Sequence, residues 1–295
     1  MDRSCLPVKV NNAMENELLS KHTTFGIGGP AELWAEPDSC AELKKLVLFA
    51  SKNKKKYFVI GAGSNILADD KGYNGLVISL SKPCFKKIMR KGNYIRAGAG
   101  VRLSQLISFA SKNRLGGIEG LTGIPGTVGG GLYMNAGYKT TIGDVTAKVR
   151  VMDKNGNMKT ILKRDLKFGY RSSNLKKYII IEGIFKLPGK DMENIDKLRK
   201  EAISHKMRTQ PLNERSAGCV FKNPKGVRPA AGQLIDECGL KGRISGGAAI
   251  SEKHANFIIN KNKASSKDVI SLIELIRKTV KQKKRIELKT EIKFL

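Results

Sequence analysis

The stretch Gly116 to Gly137, GGIEGLTGIPGTVGGGLYMNAG, constrains this chain most, because nine of its 22 residues are glycine. That composition predicts neither a stable helix interior nor an ordinary strand. Glycine has no side chain to pack and loses the most backbone freedom on folding. It does let backbone approach a ligand closely, and main-chain N–H groups left without partners bind anions, as in phosphate loops and nests. Gly126 and Gly131 have P-loop spacing, but Leu132 and Tyr133 stand where lysine and serine or threonine are required. ATP hydrolysis on this loop is therefore not expected. A second glycine loop, Gly61-Ala62-Gly63-Ser64-Asn65-Ile66, follows an apolar strand at Tyr57 to Ile60 but lacks the third glycine of the dinucleotide fingerprint. Two such loops, neither of a common type, point to a large nucleotide held by an uncommon fold. A pair of tight turns is the plainer alternative.

With 295 residues the chain has length for a substantial core and two or three domains. Its formal charge is +29, from 55 Lys and Arg against 26 Asp and Glu. Such a balance raises the question of a nucleic-acid partner. The basic residues are scattered in short clusters, however, such as Lys52 to Lys56 and Lys281 to Arg285, and the sparse aromatics form no RNA-stacking motif. A basic surface that attracts anionic substrates explains the same charge. The five cysteines, Cys5, Cys40, Cys84, Cys219 and Cys238, contain no C-x-x-C and predict reduced thiols rather than a disulfide frame or zinc site. No apolar run approaches the ~18 residues of a membrane span, and the N-terminus reads without a signal-peptide core. The expectation is a soluble, cytoplasmic, monomeric protein without a metal.

Periodicity and turn chemistry predict a mixed architecture. A short helix is expected at Asn12 to Ser20, and a strand at Ala31 to Ala35. A helix capped by Asp38 or Ser39 then runs to about Asn53. Strands follow at Leu76 to Leu80 and Tyr94 to Ala97, and a helix from Leu103 to Asn113. A hairpin pairs Ala147 to Met152 with Met158 to Leu162 across Lys154-Asn155-Gly156. Tyr178 to Phe185 reads as a buried strand, and Asp191 to Lys206 as a charged helix. Beyond come a helix at Ala230 to Cys238, a strand at Asn256 to Ile259, and a last helix opened by a capping box between Ser265 and Asp268. Its buried face is Val269, Ile270, Leu272, Ile273, Ile276 and Val280. A terminal strand is expected at Ile286 to Leu295. The order is α+β, not a regular βαβ alternation.

Two further stretches carry candidate chemistry. In Phe168-Gly169-Tyr170-Arg171-Ser172-Ser173 an arginine sits in a polar turn between strands. In Ser216-Ala217-Gly218-Cys219-Val220-Phe221-Lys222-Asn223-Pro224 a thiol stands beside a glycine, ahead of a Lys-Asn pair able to hold anions or amides. Each has a plain reading when taken alone. Arg171 reads as a surface ion pair, Cys219 as a small buried apolar residue, and Glu291 as a solvated strand position.

Together the stretches resemble the UDP-N-acetylenolpyruvoylglucosamine reductases, flavoenzymes of bacterial peptidoglycan synthesis. The resemblance runs from about Thr23 to the C-terminus. It is carried by Thr24-Phe25-x-Ile27-Gly28-Gly29-Pro30-Ala31, Gly61-x-Gly63-Ser64-Asn65, Gly123-Ile124-Pro125-Gly126-Thr127-x-Gly129-Gly130 and Met134-Asn135-Ala136-Gly137. It continues through Tyr170-Arg171-x-Ser173, Gly218-Cys219-x-Phe221-Lys222-Asn223-Pro224, Ala231-Gly232-x-Leu234-Ile235-Asp236 and Ser251-Glu252-Lys253-His254-Ala255-Asn256-Phe257.

The resemblance implies an α+β protein with the FAD-binding fold of the vanillyl-alcohol oxidase (PCMH) type and a C-terminal α+β substrate-binding domain. The implied division is two FAD-binding subdomains at 1–55 and 56–190, a substrate domain at 200–285, and a terminal strand at 286–295 carrying Glu291. FAD would lie against Gly61, Ala62, Gly63, Ser64, Asn65 and Ile66 and against Gly123, Ile124, Pro125, Gly126, Thr127, Gly129 and Gly130. NADPH would reduce the flavin, and UDP-N-acetylglucosamine enolpyruvate would then take hydride at C3. Arg171 and Glu291 match the pair that stabilises the resulting enolate, and Cys219 matches the acid that protonates C2. The glutamate role makes physical sense only if its carboxyl is protonated or acts through Arg171, since a bare carboxylate repels an enolate. Tyr170 belongs to the implied substrate site.

Three departures stand out. The family often has serine at the position of Cys219. Gly26 replaces a common arginine between Phe25 and Ile27. The interval from Arg171 to Arg208 is too short for the loop that brings a tyrosine over the substrate diphosphate in longer members. Lys222, Asn223 and His254 are the candidates to hold that diphosphate instead. Another FAD oxidoreductase of the same fold would share the glycine loops but does not require Gly218 to Pro224. A nucleic-acid-binding module would explain the charge but neither loop.

Overall fold

The computed structural model describes residues 13–226 and 228–295. The chain forms two compact units whose segments interleave. One comprises 13–16, 32–62 and 74–204. The other comprises Glu17–Ala31, Gly63–Tyr73 and His205–Leu295.

A four-stranded sheet, most of whose residues belong to the first unit, runs in the order Ala13–Leu18, Pro30–Ala35, Tyr73–Ser79, Tyr57–Ile60, and its last pair is parallel. A five-stranded antiparallel sheet follows the order Met158–Leu162, Thr146–Met152, Ile179–Lys186, Tyr94–Gly98, Ile88–Lys91. The predicted hairpin is present, and its turn is closed by Asp153. The Asp153 carboxylate accepts from the amides of Asn155 and Asn157, both at 2.9 Å, in an Asx arrangement. The helices Cys40–Lys52 and Leu103–Lys112 send Leu43, Leu46, Val47, Leu106 and Ile107 into one core with Ile78, Ile95, Val149 and Phe185. Ser39 caps the first of them, accepting from Glu42 N at 3.1 Å.

In the second unit an antiparallel sheet runs in the order Arg215–Cys219, Phe257–Asn260, Ala248–Ile250, Ile244–Ser245. The helix Ser266–Lys284 buries Val269, Leu272, Ile273, Ile276 and Val280, while Ile270 is partly covered. Its capping box is formed as predicted. Asp268 N donates to Ser265 Oγ at 3.1 Å, and Ser265 N donates to Asp268 Oδ2 at 2.9 Å. Phe25, Ile27, Leu67, Leu288 and Ile292 complete this core.

Three expectations are corrected. Asn12 lies outside the described residues, but Ala13–Leu18 is a strand followed by a 3₁₀ turn at Leu19–Lys21, not a helix. Sheet pairing satisfies its backbone, and tertiary pairing outweighs a weak helical propensity. The glycine run does contain a helix, Val128–Met134. Thr127 Oγ1 accepts from Gly130 N at 3.3 Å to start it, and Asn135 ends it at φ 48°. Here glycine permits close packing. A Cβ on Gly129 would stand 3.1 Å from the Ala99 Cβ, and one on Gly131 would stand 3.3 Å from Ile142 and Leu103. Finally, the C-terminal segment is no continuous strand. Thr290 bridges Phe221, and regular pairing is confined to Lys293–Phe294, parallel to Ile66–Leu67. The segment changes partners along its length, so no single ladder forms.

Cys40, Cys84, Cys219 and Cys238 are thiols, and Cys5 lies outside the described residues. Among the described residues, no helix is long and apolar enough to cross a membrane, and no cluster of acidic, histidine and cysteine side chains could hold a metal.

Candidate active site

The first unit carries Gly61, Ala62, the loop from Gly123 to Gly130, and the Tyr170-Arg171 turn. In that loop Gly123, Pro125 and Gly130 are exposed. Not all of its amides are available to an anion. Ile124 N donates to Leu121 O at 3.0 Å, Val128 N to Val101 O at 2.8 Å, Gly129 N to Ala99 O at 2.9 Å and Gly131 N to Thr127 O at 2.8 Å. Together with the Gly130–Thr127 bond, these commit the amides around the helix start to the protein. The amides of Gly123, Gly126 and Thr127 are not committed in this way, so they are the donors that fit an anionic group. Gly130 also leaves room. A Cβ there would meet only Thr127 Oγ1, at 3.6 Å.

Arg171 lies in the two-residue turn of a short hairpin that pairs Phe168–Gly169 with Ser172–Ser173. Its φ is 49°, a left-handed conformation uncommon for arginine. Three bonds hold the turn. Arg171 Nη1 donates to Gly137 O at 3.0 Å, Asn135 Nδ2 to Gly169 O at 3.0 Å and Ser173 Oγ to Tyr133 O at 2.9 Å. Asn135 Oδ1 also accepts from Gly143 N at 3.0 Å. Thus Met134-Asn135-Ala136-Gly137 supports the arginine turn, a role the sequence reading did not assign. An asparagine, which tolerates αL geometry at a helix end, was the available signal. Tyr170 is exposed, and the Arg171 guanidinium stands 5.5 Å from its ring centre.

The second unit carries Gly63 to Ile66, Cys219, Lys222, Asn223, His254 and Glu291. Ser216 pairs with Ile259 and Cys219 with Phe257, so the strand Arg215–Cys219 has one extra residue there. This bulge contains Gly218 at φ 75° and re-aims the half-buried Cys219. Just past the thiol, Val220 O accepts from Glu291 N at 2.7 Å. The fold therefore lays the backbone of Glu291 beside that of the Cys219 segment, a juxtaposition no sequence spacing announces.

The Gly63 loop is tied to the Glu291 segment directly and to the Arg215–Cys219 strand through Thr24. Asn65 Nδ2 donates to Glu291 O at 3.3 Å, and Lys293 N to Asn65 O at 2.9 Å. Thr24 N donates to Gly63 O at 3.2 Å, and Thr24 Oγ1 to Ser216 O at 2.6 Å. Gly63 is obligatory for packing, because a Cβ would fall 2.0 Å from His22 O. The side of Gly26 is also filled: a Cβ there would come within 2.9 Å of Arg215 Nη1. Asn223 Oδ1 accepts from Ala231 N at 3.1 Å at the start of the helix Ala231–Glu237, which orients its carboxamide. Burial holds the His254 imidazole below its usual range. Its Nδ1 accepts from Asn256 N at 3.2 Å, which places the ring proton on Nε2 as a neutral donor.

The fold is the FAD-binding fold of the vanillyl-alcohol oxidase type, and a model of an FAD binding domain matches residues 31–161. A berberine bridge enzyme variant shares that fold, with a TM-score of 0.50 and 16% identity over 64% of this chain and 43% of that one. Residues 210–295 match the C-terminal domain of UDP-N-acetylenolpyruvoylglucosamine reductase. Proteins of that name from Clostridium tetani and Caldanaerobacter subterraneus are each 41% identical, over 95% of this chain and 91% and 92% of theirs. The crystal structure of the enzyme from Thermus caldophilus superposes with a TM-score of 0.83 at 37% identity, covering 95% of this chain and 98% of that one. The chain belongs to the UDP-N-acetylenolpyruvoylglucosamine reductase family.

Proposed function

We propose that this protein reduces UDP-N-acetylglucosamine enolpyruvate to UDP-N-acetylmuramate for peptidoglycan synthesis, as a cytoplasmic monomer using FAD and NADPH. FAD held by the protein would supply the hydride chemistry, linking NADPH as reductant to C3 of the enolpyruvyl group. The uncommitted amides of Gly123, Gly126 and Thr127 and the open side of Gly130 fit its pyrophosphate. Arg171 donates to the enolate oxygen that develops as C3 gains hydride. Glu291 assists as a neutral acid or through the arginine. The Cys219 thiol then gives its proton to C2, and solvent restores it. Lys222, the oriented carboxamide of Asn223 and the neutral Nε2–H of His254 hold the substrate diphosphate, a task suited to charged and neutral donors together.

The observation that most supports this reading is the Glu291 N to Val220 O bond, which runs the backbone of Glu291 alongside the segment that carries Cys219. Anaerobic titration tests it. The purified protein is expected to be yellow, to bleach with NADPH, and to regain colour with the enolpyruvyl sugar nucleotide. A protein that takes up no flavin, or whose reduced flavin ignores that substrate, overturns the proposal.

Gly130 gives a separate test of the cofactor loop. Gly130→Val points its side chain into open space, so the apoprotein is expected to keep its melting temperature. FAD affinity is expected to fall ~10–100-fold, equivalent to about 1–3 kcal/mol of crowding. Gly129→Val is expected to lower the melting temperature as well, because its side chain meets Ala99. Wild-type FAD affinity in a folded Gly130→Val protein would remove this glycine from the cofactor site.

A further inference from the structure

The backbone next to Cys219 is pinned by a side chain that the mechanism above does not use. Asn256 is 3% exposed. Its Oδ1 accepts from Phe221 N at 2.9 Å, and its Nδ2 donates to Phe221 O at 2.8 Å. Its main-chain oxygen accepts from Val220 N at 2.8 Å. The regular ladder with Phe257–Asn260 ends at the Cys219–Phe257 pair. One residue further, the Asn256 carboxamide stands in for a strand, offering one acceptor and one donor as a peptide group would. The opposite side is closed by Glu291 N on Val220 O at 2.7 Å and by Lys222 N on Lys289 O at 2.9 Å. Every backbone polar group of Val220 and Phe221 therefore has a partner, and three of those four bonds come from Asn256. On the other side of Cys219, Gly218 has nothing within 4 Å of where a side chain would project. The thiol thus stands between a loosely surrounded bulge and a locked segment, and the lock decides where it points.

We infer that Asn256 is the positioning residue for proton delivery, holding the Val220-Phe221 backbone so that the thiol of Cys219 meets C2 of the substrate. The inference rests on the reading of Cys219 as the donor. It depends on the carboxamide in particular. Asn256→Asp keeps an acceptor for Phe221 N but offers only another acceptor to Phe221 O, and Asn256→Ser is too short to span both groups.

The test is stopped-flow kinetics of the FAD-loaded enzyme for Asn256→Asp, Asn256→Ser and Cys219→Ala. In both Asn256 variants flavin reduction by NADPH is expected to stay within about twofold of wild type. Reoxidation by the enolpyruvyl sugar nucleotide is expected to slow by about 10–10²-fold, the scale for misplacing a reacting group by ~1 Å. The solvent deuterium isotope effect on reoxidation is expected to rise, because proton delivery becomes the slow step. A role confined to stability would slow both half-reactions together and leave that isotope effect unchanged, and this outcome overturns the inference. So does wild-type reoxidation in a folded Asn256→Asp enzyme. Wild-type reoxidation in Cys219→Ala instead sinks the reading of the thiol as donor. A slow Cys219→Ala beside unimpaired Asn256 variants sinks only the positioning role. Should neither Asn256 variant fold, amide exchange in the wild-type holoenzyme decides. Val220 and Phe221 are expected to exchange as slowly as Ile258 in the adjoining strand, and fast exchange there rejects the lock.

Discussion

Cys219→Ala is expected to slow reoxidation of the reduced flavin by the enolpyruvyl substrate by about 10²–10⁴-fold, the usual worth of a general acid. Flavin reduction by NADPH should be untouched, because that half-reaction needs no proton at C2. The bulge at Gly218 is what distinguishes this thiol. Cys219 is half-buried, as Cys40 also is, but it stands directly after a glycine bulge that redirects the strand, whereas Cys238 is buried in the core. Cys219→Ser is expected to retain substantial activity, since a hydroxyl occupies the same place. An ordinary thiol is mostly protonated at neutral pH and holds the proton the step requires. Single-turnover rates of the three proteins check this. A Cys219→Ala enzyme that reoxidises at the wild-type rate reduces the thiol to a packing residue.

Arg171→Lys is expected to slow the same half-reaction by roughly 10²–10³-fold, the range for one lost electrostatic stabiliser. Charge is conserved in this change, but the planar fork is not. A guanidinium can donate to Gly137 O through Nη1 and still present other N–H groups in a fixed plane, whereas an ammonium is a rotating point charge. The turn that carries Arg171 is held independently by Asn135 and Ser173, so the substitution should leave the hairpin in place. Flavin reduction should stay near wild type, and Glu291→Gln should show the same division between half-reactions. Equal slowing of both by Arg171→Lys would mean that the arginine supports the fold and not the enolate.

Local chemistry made much of this molecule legible. The hairpin across Lys154-Asn155-Gly156 and the capping box at Ser265 were readable because their determinants lie within a few residues of one another. The amphipathic face of the last helix was readable for the same reason. The N-terminal strand was not, because Met-Glu-Asn-Glu-Leu suits a helix until a neighbouring strand offers its backbone partners. The glycine run misled in the opposite sense. Its composition argues against a helix, yet Thr127 starts one, and contacts to Ala99, Leu103 and Ile142 require the small residues.

The sequence by itself determined the family, the two glycine loops and the residue types suited to hydride and proton chemistry. These depend on the order of motifs along the chain and on covalent neighbours. Tertiary structure alone decided which loop amides are spent inside the protein and which are not. It alone laid Glu291 beside Val220, and gave Asn256 a partner 35 residues away in Phe221. Hydrogen bonds between distant segments form only after the chain has collapsed and water has left their polar groups, so no local pattern records them.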